Sequence, residues 1–316
     1  MDKKLIIINR LSSEKTAAIA GAVPGSVVEA YDSVAAAVPH VSDADALAVW
    51  GFTDIRPLLE NAPRIQWVHS LSDGVEKLLC PALLKNPIVL TNSRGIHDKP
   101  VAEHIMALLL AWTRKIPDAV RFQDQHEWKR LKAGSVYGKT AVIVGFGGIG
   151  RAAAERAKSF GMKIIAVKKH RSDELFADQV CTAEELDQVL PQADYIICAL
   201  PATEETAAYF KKEHFAMMKP SALFINIARG SIIDEKGLIE SLRGGHPGGA
   251  ALDVFTKEPL PPDHPLWSMK QVMITPHMAS MVPDFWAKLL HLLTENFIAF
   301  NRGDSLINQV DKTRGY

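Results

Sequence analysis

Short runs of consecutive apolar residues alternate along this chain with segments whose apolar positions recur every three to four residues. Residues 4–8, 47–50 and 65–68 read as strands, and residues 12–20 and 54–60 as helices between them. Unbroken apolar runs of this length predict strands covered on both faces. A second series begins at Thr140. Residues 141–144, 163–167, 195–199, 223–227, 249–252 and 272–275 read as strands, with helices at 149–160, 182–190 and 234–242. Gly161, Pro191 and Pro220 mark joins. Between the series, residues 99–116 form one long helical pattern, and residues 283–301 form a last helix that returns to the first series. The pattern predicts two α/β domains, each a parallel sheet between helical layers, with a cleft between them. The predicted breaks fall after residues 98 and 285.

Composition narrows the function classes. Lys plus Arg and Asp plus Glu both number 36, so the basic surplus of a general nucleic-acid binder is missing. Cys80, Cys181 and Cys198 form no CxxC pair, which predicts a reducing compartment and no cysteine-built metal site. His69, His97 and His104 read as structural or cleft-lining, and no metal is expected. The apolar run at 5–8 is too short for a signal peptide, and the longest such run, 105–112, is too short to span a bilayer. These readings together predict a cytoplasmic protein.

The clearest chemical signal is Gly145-Phe146-Gly147-Gly148-Ile149-Gly150, a GxGxxG pattern between a predicted strand and a predicted helix. Gly145 permits the turn, Gly147 lets backbone approach a pyrophosphate, and Gly150 lets helix and strand pack closely. The helix N-terminus then offers N–H groups and partial positive charge to phosphates. At the end of the next strand, where NAD enzymes usually carry Asp or Glu for the ribose 2′-hydroxyl, this chain reads Lys168-Lys169-His170-Arg171. Basic side chains there would attract a 2′-phosphate, which predicts NADP over NAD. A solvated basic turn is the plainer reading. Asp173 and Glu174 lie nearby but several residues late.

Three further features fall at predicted strand ends, where parallel sheets bind ligands. They are 226–230 with Arg229, 253–259 with Asp253 and Glu258, and 275–277 with His277. Singly, each residue has a structural reading: an ion-pair partner, a turn residue before Pro259, a hydrogen-bonded histidine. In this order, and with GFGGIG, NIARG, ALDVF…EP and TPHMA, the chain resembles the D-isomer-specific 2-hydroxyacid dehydrogenases. Leu71-Ser72-Asp73-Gly74-Val75, Thr91-Asn92, Val101-Ala102-Glu103-His104 and the Asn296 region extend the resemblance over essentially the whole chain.

The resemblance implies a Rossmann cofactor domain inserted in a flavodoxin-like substrate domain, and reduction of a small 2-keto acid to the D-2-hydroxy acid with NADP or NAD. It implies that Arg229 binds the substrate carboxylate and carbonyl, that His277 exchanges the proton, and that Glu258 orients the imidazole. It places Leu200, Pro201, Thr206, Ile227, Ala228, Arg229, Asp253, His277 and Ala279 at the cofactor, with Asp253 toward the nicotinamide. Leu71, Ser72, Asp73 and Gly74 would meet the substrate carboxylate through backbone N–H groups. Asp73 and Lys99-Pro100 depart from the commonest family forms, and an acid at Asp73 is unexpected beside an anion. Trp50 and Trp286 read as pocket walls or as core aromatics. A homodimer is implied. Within the family a glyoxylate or hydroxypyruvate reductase fits the basic segment best. A phosphoglycerate dehydrogenase and a dinucleotide-sensing corepressor remain as alternatives.

Overall fold

A computed structural model describes residues 3–315 of the chain. The chain divides into two compact units, Met1–Ile96 with Val282–Tyr316, and His97–Met281.

The first unit holds five parallel strands, β1 (Lys4–Ile8), β2 (Val27–Tyr31), β3 (Ala46–Val49), β4 (Trp67–Ser70) and β5 (Val89–Thr91), in the order β2-β1-β3-β4-β5. This is the flavodoxin-like order. Successive side chains on a strand point to opposite faces. Ile6, Ile8, Leu47, Val49 and Val68 therefore build one core layer, and Leu5, Ile7, Ala46, Ala48 and Trp67 the other. Leu289, Leu293 and Phe297 of the last helix, Phe285–Arg302, close the second layer.

Seven parallel strands make up the second unit: β6 (Thr140–Val144), β7 (Lys163–Val167), β8 (Gln179–Cys181), β9 (Tyr195–Cys198), β10 (Leu223–Asn226), β11 (Gly249–Leu252) and β12 (Val272–Ile274). Their order is β12-β11-β10-β9-β6-β7-β8, so the direction of winding reverses at β6. A dinucleotide fold has its ligand crevice at that switch point. Ala153, Ala154 and Ala157 of helix Gly148–Ser159 pack with Ile105 and Leu109 of helix Asp98–Thr113 over one face; Phe210, Phe215, Leu238 and Leu242 cover the other. Two doubly wound parallel sheets are what the apolar pattern predicts.

Several elements differ from the pattern. The helix expected over 99–116 ends at Thr113, Lys115 turns left-handed at φ 57°, and a separate helix runs Ile116–Asp124. Pro117 accounts for the break: it has no N–H to bond the Thr113 carbonyl four residues back, and its ring would clash with that carbonyl in a continuous helix. The Thr113 carbonyl accepts from Gly134 N instead, at 2.9 Å. The expected helix over 182–190 is a chain of short turns, Ala183–Glu185, Leu186–Val189 and Leu190–Gln192. β2, β5 and β8 are not evident from hydrophobicity, because β2 and β8 are edge strands with few buried residues and β5 has only three.

β4 runs on past Val68 through two polar residues, both fully buried. His69 Nδ1 lies 2.7 Å from Thr91 Oγ1, Trp67 Nε1 donates to the same oxygen at 2.8 Å, and Ser93 Oγ lies 3.2 Å from His69 Nε2. Burial pushes the His69 imidazole down to about 3. The unfolded chain takes up this proton near pH 6.5, and the folded chain does not until about pH 3. Its contribution is therefore intact above pH 6.5 and shrinks as pH falls, by about 2 kcal/mol at pH 5. Urea unfolding at pH 7 and pH 5 should show this loss, and His69→Asn should show about 2 kcal/mol less of it. Equal losses in both proteins would remove His69 as the source.

Candidate active site

At the end of β6 the three glycines of the GxGxxG turn answer to different demands. Gly145 has φ +95°, and a Cβ there would run into the Ala199 carbonyl. A Cβ on Gly150 would strike the Gly145 carbonyl. At Gly148, the fourth glycine, the Asp98 carboxylate occupies the place of a Cβ and would have to move to admit one. Gly147 alone faces open space: a Cβ would meet nothing within 4 Å. It is exposed and stands at the N-cap of helix Gly148–Ser159, where first-turn N–H groups lack partners within the helix. No packing in the unit calls for glycine at 147, whereas an approaching pyrophosphate does. These residues fit a dinucleotide. Phe146 is 4% exposed, so it offers backbone only, and Ile149 is half-buried.

Beyond β7 the basic segment is closely paired. Lys168 Nζ binds the Glu174 carboxylate and donates to Ser172 Oγ at 2.7 Å. Arg151 grips the same carboxylate with Nε at 2.8 Å and Nη2 at 2.9 Å. Lys169 pairs with Glu205 at 2.9 Å and Arg171 with Glu185 at 2.5 Å; His170 is exposed. Glu174 lies several residues late in sequence, yet the irregular segment 171–174 brings it back to the end of β7. The guanidinium of Arg151, then the Lys168 ammonium, hold the Glu174 carboxyl down to about 2. Past β9, Leu200 is half-buried and Pro201 exposed, and Thr206 Oγ1 donates to the Pro201 carbonyl at 2.7 Å.

Three successive strand ends carry the proposed chemistry. After β10, Asn226 is fully buried; its Oδ1 accepts from Ala228 N and its Nδ2 donates to the Arg229 carbonyl, each at 3.1 Å. This cinched turn leaves Ile227 and Ala228 buried and presents a half-buried Arg229, whose Nη1 donates to the Ala228 carbonyl at 2.8 Å. Gly230 packs against the Phe255 backbone so closely that no Cβ fits. The buried His97 imidazole is pushed down to about 4, mainly by burial and further by the Arg229 charge.

After β11, Glu258 Oε1 accepts from Phe255 N at 2.9 Å, and its Oε2 lies 2.7 Å from His277 Nδ1. His277 follows β12 in a left-handed conformation, φ 51°, with Nε2 left as its other ring nitrogen. Its side chain is 47% exposed. Asp253 holds this turn from behind. Its Oδ1 accepts from Thr275 Oγ1 at 2.5 Å and Met278 N at 3.0 Å, its Oδ2 from Ala279 N at 3.0 Å, and its carbonyl from His277 N at 2.8 Å. Asp253 is 1% exposed and Ala279 is buried, so the Asp253 carboxylate is spent inside the protein.

In the first unit the loop after β4 is similarly fastened. Ser70 Oγ donates to the Ser72 and Gly74 carbonyls at 2.9 and 2.8 Å, Ser72 Oγ accepts from Gly51 N at 3.1 Å, and Asn92 Nδ2 donates to the Asp73 carbonyl at 2.8 Å. Leu71 is buried, and Ser72, Asp73 and Gly74 are half-buried. Trp50 and Trp286 meet edge to face at 6.0 Å within an aromatic cluster that includes Phe52 and Phe285.

Two further residues brace these turns: His104, which reads from the sequence as structural or cleft-lining, and Glu235, which the sequence reading passed over. His104 Nε2 lies 3.1 Å from Thr275 Oγ1 and 3.6 Å from Asp253 Oδ1. Glu235 accepts from Thr256 N at 3.2 Å and pairs with His264 at 3.3 Å, bracing the loop that carries Glu258. A separation of 171 residues between His104 and Thr275 leaves no local signal for that contact. Among the described residues, no group of three or more His, Cys, Asp and Glu is placed to hold a metal, and no helix is long and apolar enough to cross a membrane.

Comparison with known proteins identifies the family. Residues 106–279 match the family described as D-isomer specific 2-hydroxyacid dehydrogenase, NAD binding domain. A glyoxylate reductase of Pyrococcus furiosus is 35% identical over 282 residues, which are 85% of this chain and 84% of that one. Among solved structures, a D-isomer specific 2-hydroxyacid dehydrogenase family protein from Aeromonas salmonicida superposes with TM-score 0.88 at 32% identity, covering 99% of this chain and 100% of that one. An NADPH-dependent glyoxylate/hydroxypyruvate reductase from Sinorhizobium meliloti, solved with NADP and sulfate, superposes with TM-score 0.87 at 28% identity, covering all of both chains. The chain belongs to the D-isomer specific 2-hydroxyacid dehydrogenase family and is an NAD(P)-dependent 2-hydroxyacid oxidoreductase.

Proposed function

We propose that the protein reduces a small 2-keto acid of the glyoxylate or hydroxypyruvate kind to its D-2-hydroxy acid, with NADPH preferred. The observation that carries this reading is the Glu258–His277 pair at 2.7 Å, presented at a strand end of the same sheet as Arg229. Bound NAD(P)H supplies the hydride for the keto carbon. Arg229 binds the substrate carboxylate and carbonyl oxygen through its planar fork of donors. His277 Nε2 gives the proton to the oxygen as it gains charge, and takes it back in the reverse direction. Glu258 on Nδ1 fixes the ring so that Nε2 faces outward. The N–H groups of the Leu71–Gly74 loop belong to the same reading as carboxylate donors.

The His97–Met281 unit serves in this proposal as the dinucleotide domain and the other unit as the substrate domain. The S. meliloti protein, named for NADPH and for both substrates, supports the choice of cofactor and keto acids. The buried, unpaired thiols of Cys181 and Cys198 suit the cytoplasm. A homodimer completes the reading, covering the exposed Ile116, Val120 and Trp128.

Steady-state oxidation of NADPH and NADH with glyoxylate, hydroxypyruvate and bulkier 2-keto acids tests it. The expected result is the highest kcat/KM with NADPH and the two small acids. Higher kcat/KM for a bulky acid would overturn the substrate assignment, and inactivity across the panel would turn the protein into a dinucleotide-binding regulator.

A further inference from the structure

The end of β7 holds both signs of charge at once. Lys168 occupies the position at which a dinucleotide domain meets the adenosine ribose 2′ substituent. Arg151 lies on the first turn of the helix that follows the glycine turn. Between them sits Glu174, bound bidentately by Arg151, bonded by Lys168, and with a side chain only 6% exposed. Ser172 Oγ completes the set, 2.7 Å from Lys168 Nζ and 3.4 Å from Glu174 Oε1. A carboxylate in this nest carries the charge and acceptor oxygens that a 2′-phosphate would bring. The two anions call on the same donors. The neighbouring cations do not relieve the competition, since Lys169 and Arg171 have carboxylates of their own.

We propose that Glu174 is a nucleotide-selectivity residue: its carboxylate competes with the 2′-phosphate of NADP for Lys168 and Arg151, and so holds the preference for NADP below what those cations would otherwise confer. The inference rests on the NADP reading above. A 2′-hydroxyl needs no such displacement, because it adds no charge and Glu174 can accept its hydrogen bond. An open surface pocket beside Glu174, lined by Arg171, Ser172, Asp173, Ala177 and Asp178, gives the displaced side chain room to swing toward solvent. The carboxyl is ionised throughout the neutral range, being held down to about 2, so the competition persists at working pH.

The experiment is calorimetric binding of adenosine 2′,5′-bisphosphate and of 5′-AMP to the full chain and to Glu174→Gln, Glu174→Ala and Lys168→Met. Removing the carboxylate should tighten the bisphosphate about tenfold, the scale of one charge-assisted contact, and leave 5′-AMP within about twofold. Both Glu174 variants must move in the same direction, which guards against one of them folding poorly. Lys168→Met should weaken the bisphosphate alone. If Lys168→Met weakens the bisphosphate while neither Glu174 variant tightens it, the Glu174 inference fails and the NADP reading stands. If Lys168→Met leaves the bisphosphate unchanged, the 2′-phosphate assignment itself fails.

Discussion

His277→Ala should lower kcat by roughly 10²–10⁴-fold while leaving the dissociation constant for NADPH within about threefold. The imidazole is the group whose second nitrogen is held by a carboxylate at 2.7 Å, that of Glu258. On the proposed mechanism, loss of the proton donor leaves the substrate anchored by Arg229 and the nucleotide on the glycine turn, so binding should survive and turnover should not. Glu258→Gln should fall between wild type and His277→Ala, because glutamine still accepts from the ring but no longer balances a positive imidazole. Single-turnover rates and nucleotide titration measure both effects. Unchanged turnover in His277→Ala would take the histidine out of the reaction.

Asp253→Asn should produce the second large effect, about a 10–100-fold loss in kcat with about 2 kcal/mol less stability, although the side chain reaches no ligand in this reading. The two carboxylate oxygens receive three donors, Thr275 Oγ1 and Met278 N on one and Ala279 N on the other. Asparagine keeps the shape but turns an NH2 group toward one of those donors. A buried N–H is then left facing another donor, and the turn at 275–279 relaxes. His277 sits in that turn at φ 51°, a conformation that a side-chain-bearing residue keeps only when its surroundings impose it. Asp253 is therefore a positioning residue. The loss should appear in kcat more than in KM, with the affinity for 5′-AMP retained. A kcat within twofold of wild type would show that the turn holds itself.

The same turn shows how far local pattern reaches. Residues 141–144, 163–167 and 249–252 are readable as strands because a run of apolar side chains has few alternatives to a doubly covered sheet. The glycine turn is readable because the positive φ of Gly145 and the contact of Gly150 with the Gly145 carbonyl are local to six residues, although the Ala199 carbonyl that also excludes a Cβ at Gly145 is not. Arg229 and His277 stand out because each follows within two residues of a predicted strand, and Glu258 because it lies in the loop that leaves another; parallel strands deliver their ends to one edge. Pro117 is visible in the sequence too, yet the helical periodicity on either side of it hides the break at Lys115.

Partnership is the part that periodicity does not encode. His104 reaches Thr275 across 171 positions, and Asp253 beside it, because helix Asp98–Thr113 and the ends of β11 and β12 belong to one folded unit. Lys168 reads as a free cation until the irregular segment 171–174 returns Glu174 to it, and Arg151 joins from a different element. Apolar burial depends on each residue's own side chain and its period, so it can be read along the chain. The pairing of charges and hydrogen bonds depends on which groups lie within about 3 Å of each other, and only the packed chain sets those distances.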